Sequence, residues 1–425
     1  MFDTRLSTPG AARHSATLIW VLFAVGMALS PIGDFLSVRA SQDGSEGSVS
    51  LLVRGGMVVG FMVALLLSGR IRQSSAYVAI LAAISLVASV FAYGQTEMTG
   101  VELGKQAIFI FKVFSFFVCY AALSGVGDKR LEKLQPLVTA VLITYALTII
   151  AGAALSIDMF RSYQADTHIR SGYKGIVYAQ NEASALLIVG LAYGYLRVLC
   201  HGWRVSHLVL IGSMLGASML LGTKGALVGA LGVTCAYFYA RHNVLKATLR
   251  ALIVVAVLAA MAVSAYLAIP SVQQAVDLTW QYFSYHHDHA DGSGLLTIIM
   301  SGRNVKFANV WNELARQHYV SLLTGGYPVV RYQVEIDAPD LTLALGLPIF
   351  LLYMQAFASR FVYRGRTAVV RFGKLFFIVL IALACTAGHV LVSALISPYL
   401  AIIAVVVGRA AKHRIYPESW STHHD

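Results

Sequence analysis

Charge is what this chain lacks. Only 12% of its 425 residues are Asp, Glu, Lys or Arg, against roughly a quarter in an ordinary soluble domain. Cysteine is scarce too. Cys119, Cys200, Cys235 and Cys385 all fall in predicted membrane spans with no CxxC spacing, which reads as buried single thiols. There is no convincing internal repeat and no low-complexity tract. No cleavable signal peptide is evident either: "RLSTPGAARH" leads into an apolar run of full span length, and this reads as a retained first helix.

In place of charge there are long apolar runs. Hydrophobic residues make up 58% of the chain and mean hydropathy is +0.70. Runs of about twenty residues are what a helix needs to cross ~30 Å of hydrocarbon. The sequence therefore predicts an all-α polytopic membrane protein of about twelve transmembrane helices. The spans are placed at 17–36, 50–68, 76–93, 106–124, 136–157, 182–200, 206–221, 225–241, 248–269, 339–357, 370–387 and 389–408. Residues 1–269 carry the first nine spans, 270–338 form one large outer loop, 339–408 carry spans ten to twelve, and 409–425 are a tail.

The distribution of cations fits this layout. With the N-terminus inside, every inside segment holds at least two Lys or Arg, and the outside segments hold roughly half as many cations in all, as the positive-inside rule requires. Both termini then lie in the cytoplasm. The net charge of +12 is mostly topology and does not argue for a nucleic-acid partner. Arg54 and Lys112 sit near the ends of their spans and read as snorkelling or functional cations.

The loop 270–338 is too long for a simple connector. Within it "VWNELARQHYVSLL" spaces Val310, Leu314 and Leu322 at helical intervals, with Trp311 and Ala315 alongside. This predicts an amphipathic helix ended by Gly325 and Gly326. Arg316 and Lys306 fall on its polar face and read as solvated. "HHDH" at 286–289 reads as solvated loop and not as a metal site, because no second ligand cluster accompanies it.

Cations that defy the positive-inside pattern collect at the outer mouths of several spans. Arg170, Lys174, Asn181 and Glu182 precede or open span six, and Lys224 lies between spans seven and eight. Gly225, Gly229 and Gly232 beside it permit close helix approach. Arg303 and Arg331 lie in the large loop, Glu335, Asp337 and Asp340 stand at the mouth of span ten, and His389 opens span twelve. Several Arg and Lys in a partly dehydrated cavity suit a phosphate or diphosphate, since Arg supplies a bidentate fork and Lys a point charge. A nearby carboxylate suits a general base for a hydroxyl nucleophile. Fixed cations stabilise a departing diphosphate without an obligatory metal. The combination points to a lipid-linked diphosphate donor and a hydroxyl acceptor.

Several of these stretches are also similar to a known family. "SGRNVKFANVW", "LLTGGYP" and "VEIDAPDLTLALGLPIFLLYM" resemble the C-terminal signature of the O-antigen ligase and polymerase superfamily. "GYKGIVYAQNEASALLIVGLA", "LLLGTKGALVG" and "GHVLVSALISPYLA" resemble its mid-chain and terminal motifs. The likeness covers roughly residues 165–405. Ligases of this superfamily carry a His in the polar motif before the tenth span, where this chain has Glu335 and Asp337. The resemblance therefore implies the branch that polymerises O-antigen, exopolysaccharide or capsule repeat units.

It further implies a glycosyltransferase-C-like membrane enzyme of the bacterial inner membrane that is metal-independent, inverting and free of cofactors. Its active site would face the periplasm, with undecaprenyl-diphosphate-linked oligosaccharide as both donor and acceptor. A chain-length-regulating copolymerase and a flippase are the implied partners, besides membrane lipid. On this reading Glu335 is the general base, and Asp337 shares that role or orients the acceptor. Asp340 caps span ten through free backbone N–H groups, and Arg170, Lys174, Lys224 and Arg303 hold diphosphate. Arg331 does the same or pairs with Glu335. His389 and Asn181 contact donor or acceptor. Glu182 caps span six or belongs to the site. Two rivals remain: an O-antigen ligase acting on lipid A core, and a transporter or flippase of lipid-linked sugars, which would show inverted repeats and broken helices at mid-membrane.

Overall fold

In the computed structural model, residues 9–43, 49–69, 73–95, 98–162, 172–268, 273, 276–278, 280–281, 300–316 and 318–413 are described. Among them the protein is all-helical, apart from one isolated β-bridge between Arg161 and Tyr173. The helices are α1 (Pro9–Gln42), α2 (Val49–Leu67), α3 (Gln73–Gln95), α4 (Gly100–Ser124), α5 (Asp128–Ala154), α6 (Gln180–His201), α7 (Val205–Leu220), α8 (Lys224–Arg241), α9 (Val244–Ala268), α10 (Arg303–Arg316), α11 (Val320–Thr324), α12 (Asp337–Leu345), α13 (Leu347–Ala358), α14 (Ala368–Ala384) and α15 (Ser397–His413). Arg170 and the 286–289 histidine stretch lie outside the described residues.

Among the described residues seven helices, α1 to α6 and α9, are long and apolar enough to cross a membrane. Burial within this set runs opposite to hydropathy. The most apolar segment, in α9, has 0% of its window buried, whereas the least apolar, in α6, is 83% buried. In water the most apolar helix would hide. Here it faces outward, as it can when lipid tails are the solvent and hydrophobicity no longer drives helices together. The chain is thus built as a helical multi-pass membrane protein.

α6 is the central post, with every residue from Glu182 to Val198 buried. α7 and α8 pack closely on it. A Cβ at Gly194 would meet Ile211 of α7 at 2.9 Å, and one at Gly229 of α8 would meet Ile188 at 2.3 Å. Gly232 instead faces Val379 of α14, and Gly225 has no heavy atom within 4 Å of an added Cβ, so Gly225 serves no close approach. A block of rings joins α4 to α13 and α14: Phe116 packs on Phe357 at 4.7 Å between centroids, and Phe361 on Phe376 at 6.1 Å.

The expected spans ten and twelve differ in kind. The apolar run 339–357 is two helices, α12 and α13, parted at Gly346, whose φ of +80° ends one and starts the next. Pro348 in the first turn of α13 lacks the N–H that would otherwise need a partner there. The run 389–408 becomes helical only at Ser397, because 385–396 fold as turns, exposed at Cys385 and Thr386 and buried from Val390 on. The amphipathic helix begins at Arg303 and does not continue to Leu322. His318 and Tyr319 take positive φ and restart the chain as α11. Val310 and Leu314 are buried as expected, but Trp311 is 42% exposed. Gly325 and Gly326 do terminate α11, at φ of +74° and +80°.

Candidate functional site

The site centres on the turn Val334–Asp340. Glu335 adopts φ +65°, a conformation that costs a non-glycine residue roughly 1–3 kcal/mol and persists only when surroundings impose it. Asp340 imposes it. Its two carboxylate oxygens accept the N–H groups of Val334 (2.9 Å) and Glu335 (3.0 Å). Asp340 therefore caps the loop upstream of α12, not the free N–H groups of the helix it belongs to, which corrects the expected helix cap.

Asp337 is 2% exposed. Its carboxylate accepts the backbone N–H groups of His389 (2.6 Å), Val390 (2.7 Å) and Leu391 (2.6 Å), while its own N–H donates to Ala387 O at 3.2 Å. The start of α12 and the turns before α15 are thereby zipped together. Gly388 is required at this seam, since a Cβ there would meet Glu335 O at 2.8 Å. A carboxylate closed in by three donors holds the seam in place. It is poorly placed to accept a proton from an incoming hydroxyl.

Glu335 itself is reachable, with its side chain 38% exposed. Lys306 Nζ lies 2.5 Å from Oε1 and Arg303 Nε 4.0 Å from Oε2. Both cations come from the first turns of α10, where residues three apart share a face. Lys306 is solvated as expected, its side chain 49% exposed, and it also pairs with Glu335. Arg303 Nε is buried and has no hydrogen-bond partner among the described residues.

Arg331 turns away from Glu335. It forks onto Glu102 of α4, Nε to Oε1 at 2.8 Å and Nη2 to Oε2 at 2.7 Å. Glu102 also closes a capping box with Thr99, accepting Thr99 N–H at 2.7 Å while Thr99 Oγ1 accepts Glu102 N–H at 3.2 Å. The threonine and glutamate three residues apart in "TGVE" were a legible sign of this box; the arginine 229 residues further along was not.

A second cationic group stands at the head of α6. The loop 172–179 docks on the α7–α8 junction: Tyr173 N–H donates to Leu220 O at 3.0 Å, and Gln180 Nε2 to Leu221 O at 3.3 Å. Ser184 Oγ and Thr223 Oγ1, 2.8 Å apart, bring the start of α8 against the first turns of α6. Lys174, the part-buried Asn181 and the exposed Lys224 are thus neighbouring elements of one corner. Lys174 Nζ donates to Tyr178 O at 2.7 Å, and burial pushes its ammonium below the ordinary lysine range.

The run of turns that holds His389 links this corner to the first group: His389 takes φ +69° with its N–H on Asp337, and Ser393 of the same run bonds Glu182 of α6. Glu182 is not the cap of α6: Ala179 is the N-cap residue and offers no side-chain bond. Its Oε1 instead accepts Ser393 Oγ at 2.9 Å. Arg54 does not snorkel either. It is buried and bonded to Asp34.

Among the described residues no group of three or more His, Cys, Asp or Glu is placed to hold a metal. Chemically, the arrangement offers one accessible carboxylate flanked by two cations, and a further cationic corner across the seam. No family model matches the chain, and no curated protein matches it.

Proposed function

We propose that this protein polymerises undecaprenyl-diphosphate-linked oligosaccharide repeat units at the periplasmic face of a bacterial inner membrane, through a twelve-span topology in which α12 and α13 together make one span. The observation that carries the reading is Glu335. It is a strained, reachable carboxylate at the mouth of a helix pair, paired to Lys306 and Arg303. In the scheme the acceptor sugar's hydroxyl oxygen attacks the anomeric carbon of the growing chain. The bond from that carbon to the diphosphate oxygen breaks, and the diphosphate leaves with its electron pair. The hydroxyl proton passes to Glu335. Attack from the side opposite the leaving group inverts the anomeric centre. Arriving diphosphate competes for Lys306 and Arg303, and this releases Glu335 to the acceptor. Lys174 and Lys224 hold charge at the other corner, Arg170 binds diphosphate with them, and fixed cations cost no reorganisation at the moment of bond breaking. A glutamate in this motif, where ligases of the resembling superfamily carry histidine, favours the polymerase over the ligase.

The transporter reading keeps a specific observation in its favour, the helix break at Gly346 together with the buried Asp34–Arg54 pair. One experiment separates the readings. Purified protein is incubated with undecaprenyl-diphosphate-linked repeat unit in EDTA, and the products are run on a gel beside Glu335→Gln and Arg303→Ala. A ladder from the wild type that both substitutions abolish is expected. Transfer only to added lipid A core makes the protein a ligase. Movement of lipid-linked sugar across liposomes without lengthening makes it a transporter.

A further inference from the structure

A set of charges that the scheme above does not use lies inside the helix bundle. Asp34 of α1 is 1% exposed and Arg54 of α2 is 6% exposed. Arg54 Nη2 donates to both Asp34 oxygens, and the Tyr145 hydroxyl of α5 donates to Asp34 Oδ2 at 2.5 Å. Arg54 Nε finds no partner among the described residues. Glu182 lies within electrostatic reach of Arg54, of Lys112 on α4 and of His389. Asp34 and Arg54 thus neutralise each other inside the bundle, as charges buried among membrane helices do.

Glu182 also reaches outward. Ser393 Oγ donates to it at 2.9 Å and accepts Leu395 N–H at 3.2 Å. The Ser393 carbonyl accepts Ser397 Oγ at 2.9 Å, and Ser397 Oγ meets Ser115 Oγ of α4 at 2.7 Å. Ser393 and His389 belong to the same run of turns, whose 389–391 amides clamp Asp337. Glu182 stands on α6, which is buried from Glu182 to Val198, so that helix fixes the carboxylate and the carboxylate holds Ser393.

From this geometry we propose that Glu182 is a positioning residue. Buried in the first turn of α6 and bonded to Ser393, it sets the 386–396 turns, which through Asp337 set the turn carrying Glu335. That the object positioned is a catalytic base rests on the function proposed above; the link between Glu182 and the 389–391 amides does not.

The test is amide hydrogen exchange by mass spectrometry on the full-length protein in nanodiscs, with Ser393→Ala, Glu182→Ala and Glu182→Gln. Losing the Ser393 bond is expected to speed exchange at residues 389–391 by roughly tenfold, the size of one buried hydrogen bond. The amides of α4 and α8 should be unchanged, and Glu182→Gln, which can still accept the Ser393 hydroxyl, should restore most of the protection. In the gel assay the same variants should lower kcat and leave KM for the lipid-linked unit as in wild type. Unchanged exchange at 389–391 in both Ser393→Ala and Glu182→Ala overturns the proposal. So does faster exchange spread evenly over α4, α6 and α15, because Glu182 would then only stabilise the fold. A wild type that builds no ladder overturns the polymerase reading and leaves the exchange data to decide the link.

Discussion

Asp337→Asn is the substitution that best separates a catalytic carboxylate from a structural one. The change keeps shape and volume and replaces one acceptor oxygen with a donating NH2. Oδ2 serves two N–H groups and Oδ1 serves one. The amide will turn its remaining oxygen to Val390 and Leu391 and present its NH2 to the His389 N–H, donor against donor. Leaving that buried N–H unsatisfied costs about 1–3 kcal/mol. The two surviving bonds fall from charge-assisted to neutral, a further loss of about 0.5–1.5 kcal/mol each. The whole comes to about 2–6 kcal/mol, a large part of the 5–15 kcal/mol that separates a typical native state from the unfolded one. Thermal unfolding in detergent, read beside turnover on lipid-linked substrate, gives the answer. The expected result is a clearly lowered midpoint, with activity lost in proportion to the protein unfolded or to the opening of the 389–391 seam. Wild-type thermal stability with turnover abolished would refute the reasoning and return Asp337 to the role of proton acceptor.

Other expectations are as direct. Arg54→Leu or Asp34→Leu alone should destabilise by about 3–5 kcal/mol, because each strands a buried charge, while the double substitution should recover most of the loss; a double-mutant cycle on unfolding midpoints checks this. Arg331→Ala and Glu102→Ala should share one phenotype, since the two side chains hold each other; a deficit in substrate KM for Arg331→Ala that Glu102→Ala lacks would show the arginine holding diphosphate. Lys174→Met should raise the midpoint near neutral pH and weaken binding of the lipid diphosphate. The sign follows from its lowered folded-state pKa: below the unfolded value of about 10.4 the unfolded chain binds the proton more readily, so charging Lys174 costs the native state stability, and the difference between variant and wild type should vanish as pH rises through that value. An unchanged midpoint across that range would contradict it.

Much of the fold was legible because apolar run length is read directly by a bilayer. The first six helices and α9 fall where such runs place them. Hydropathy is blind to what happens inside a run. "LTLALGLPIFLLYM" is continuous in hydropathy, although Gly346 and Pro348 were a breaker signal within it, and buried turns such as "VLVSAL" are as apolar as helix. Glu335 was legible as a carboxylate at a span mouth. Lys306 was legible as a solvated charge on a polar helix face, but its pairing with Glu335, 29 residues along, was not. Asp34 went unweighed, although an acid inside the first span and Arg54 inside the second are a complementary pair on sequence alone. The Arg331–Glu102 bridge depended on tertiary proximity and left no local trace.

The break at Gly346 bears on how the protein is made. At 1.5 Å per residue neither α12 nor α13 spans a bilayer alone, and only stacked do they approach ~30 Å. The carbonyls of Leu343 and Ala344 at the break are taken by the N–H groups of Tyr327 (3.2 Å) and Gly326 (2.9 Å), and Tyr327 O is held by Gln106 of α4 at 3.0 Å. On the proposed topology, in which α12 and α13 together make one span, those backbone groups face hydrocarbon unsatisfied until residues 325–327 dock, at several kcal/mol each. Assembly in that topology is ordered: the two half-helices settle after α4 is in place and the 325–327 segment has returned to meet them, and the turn carrying Glu335, which lies between that segment and α12, is set late.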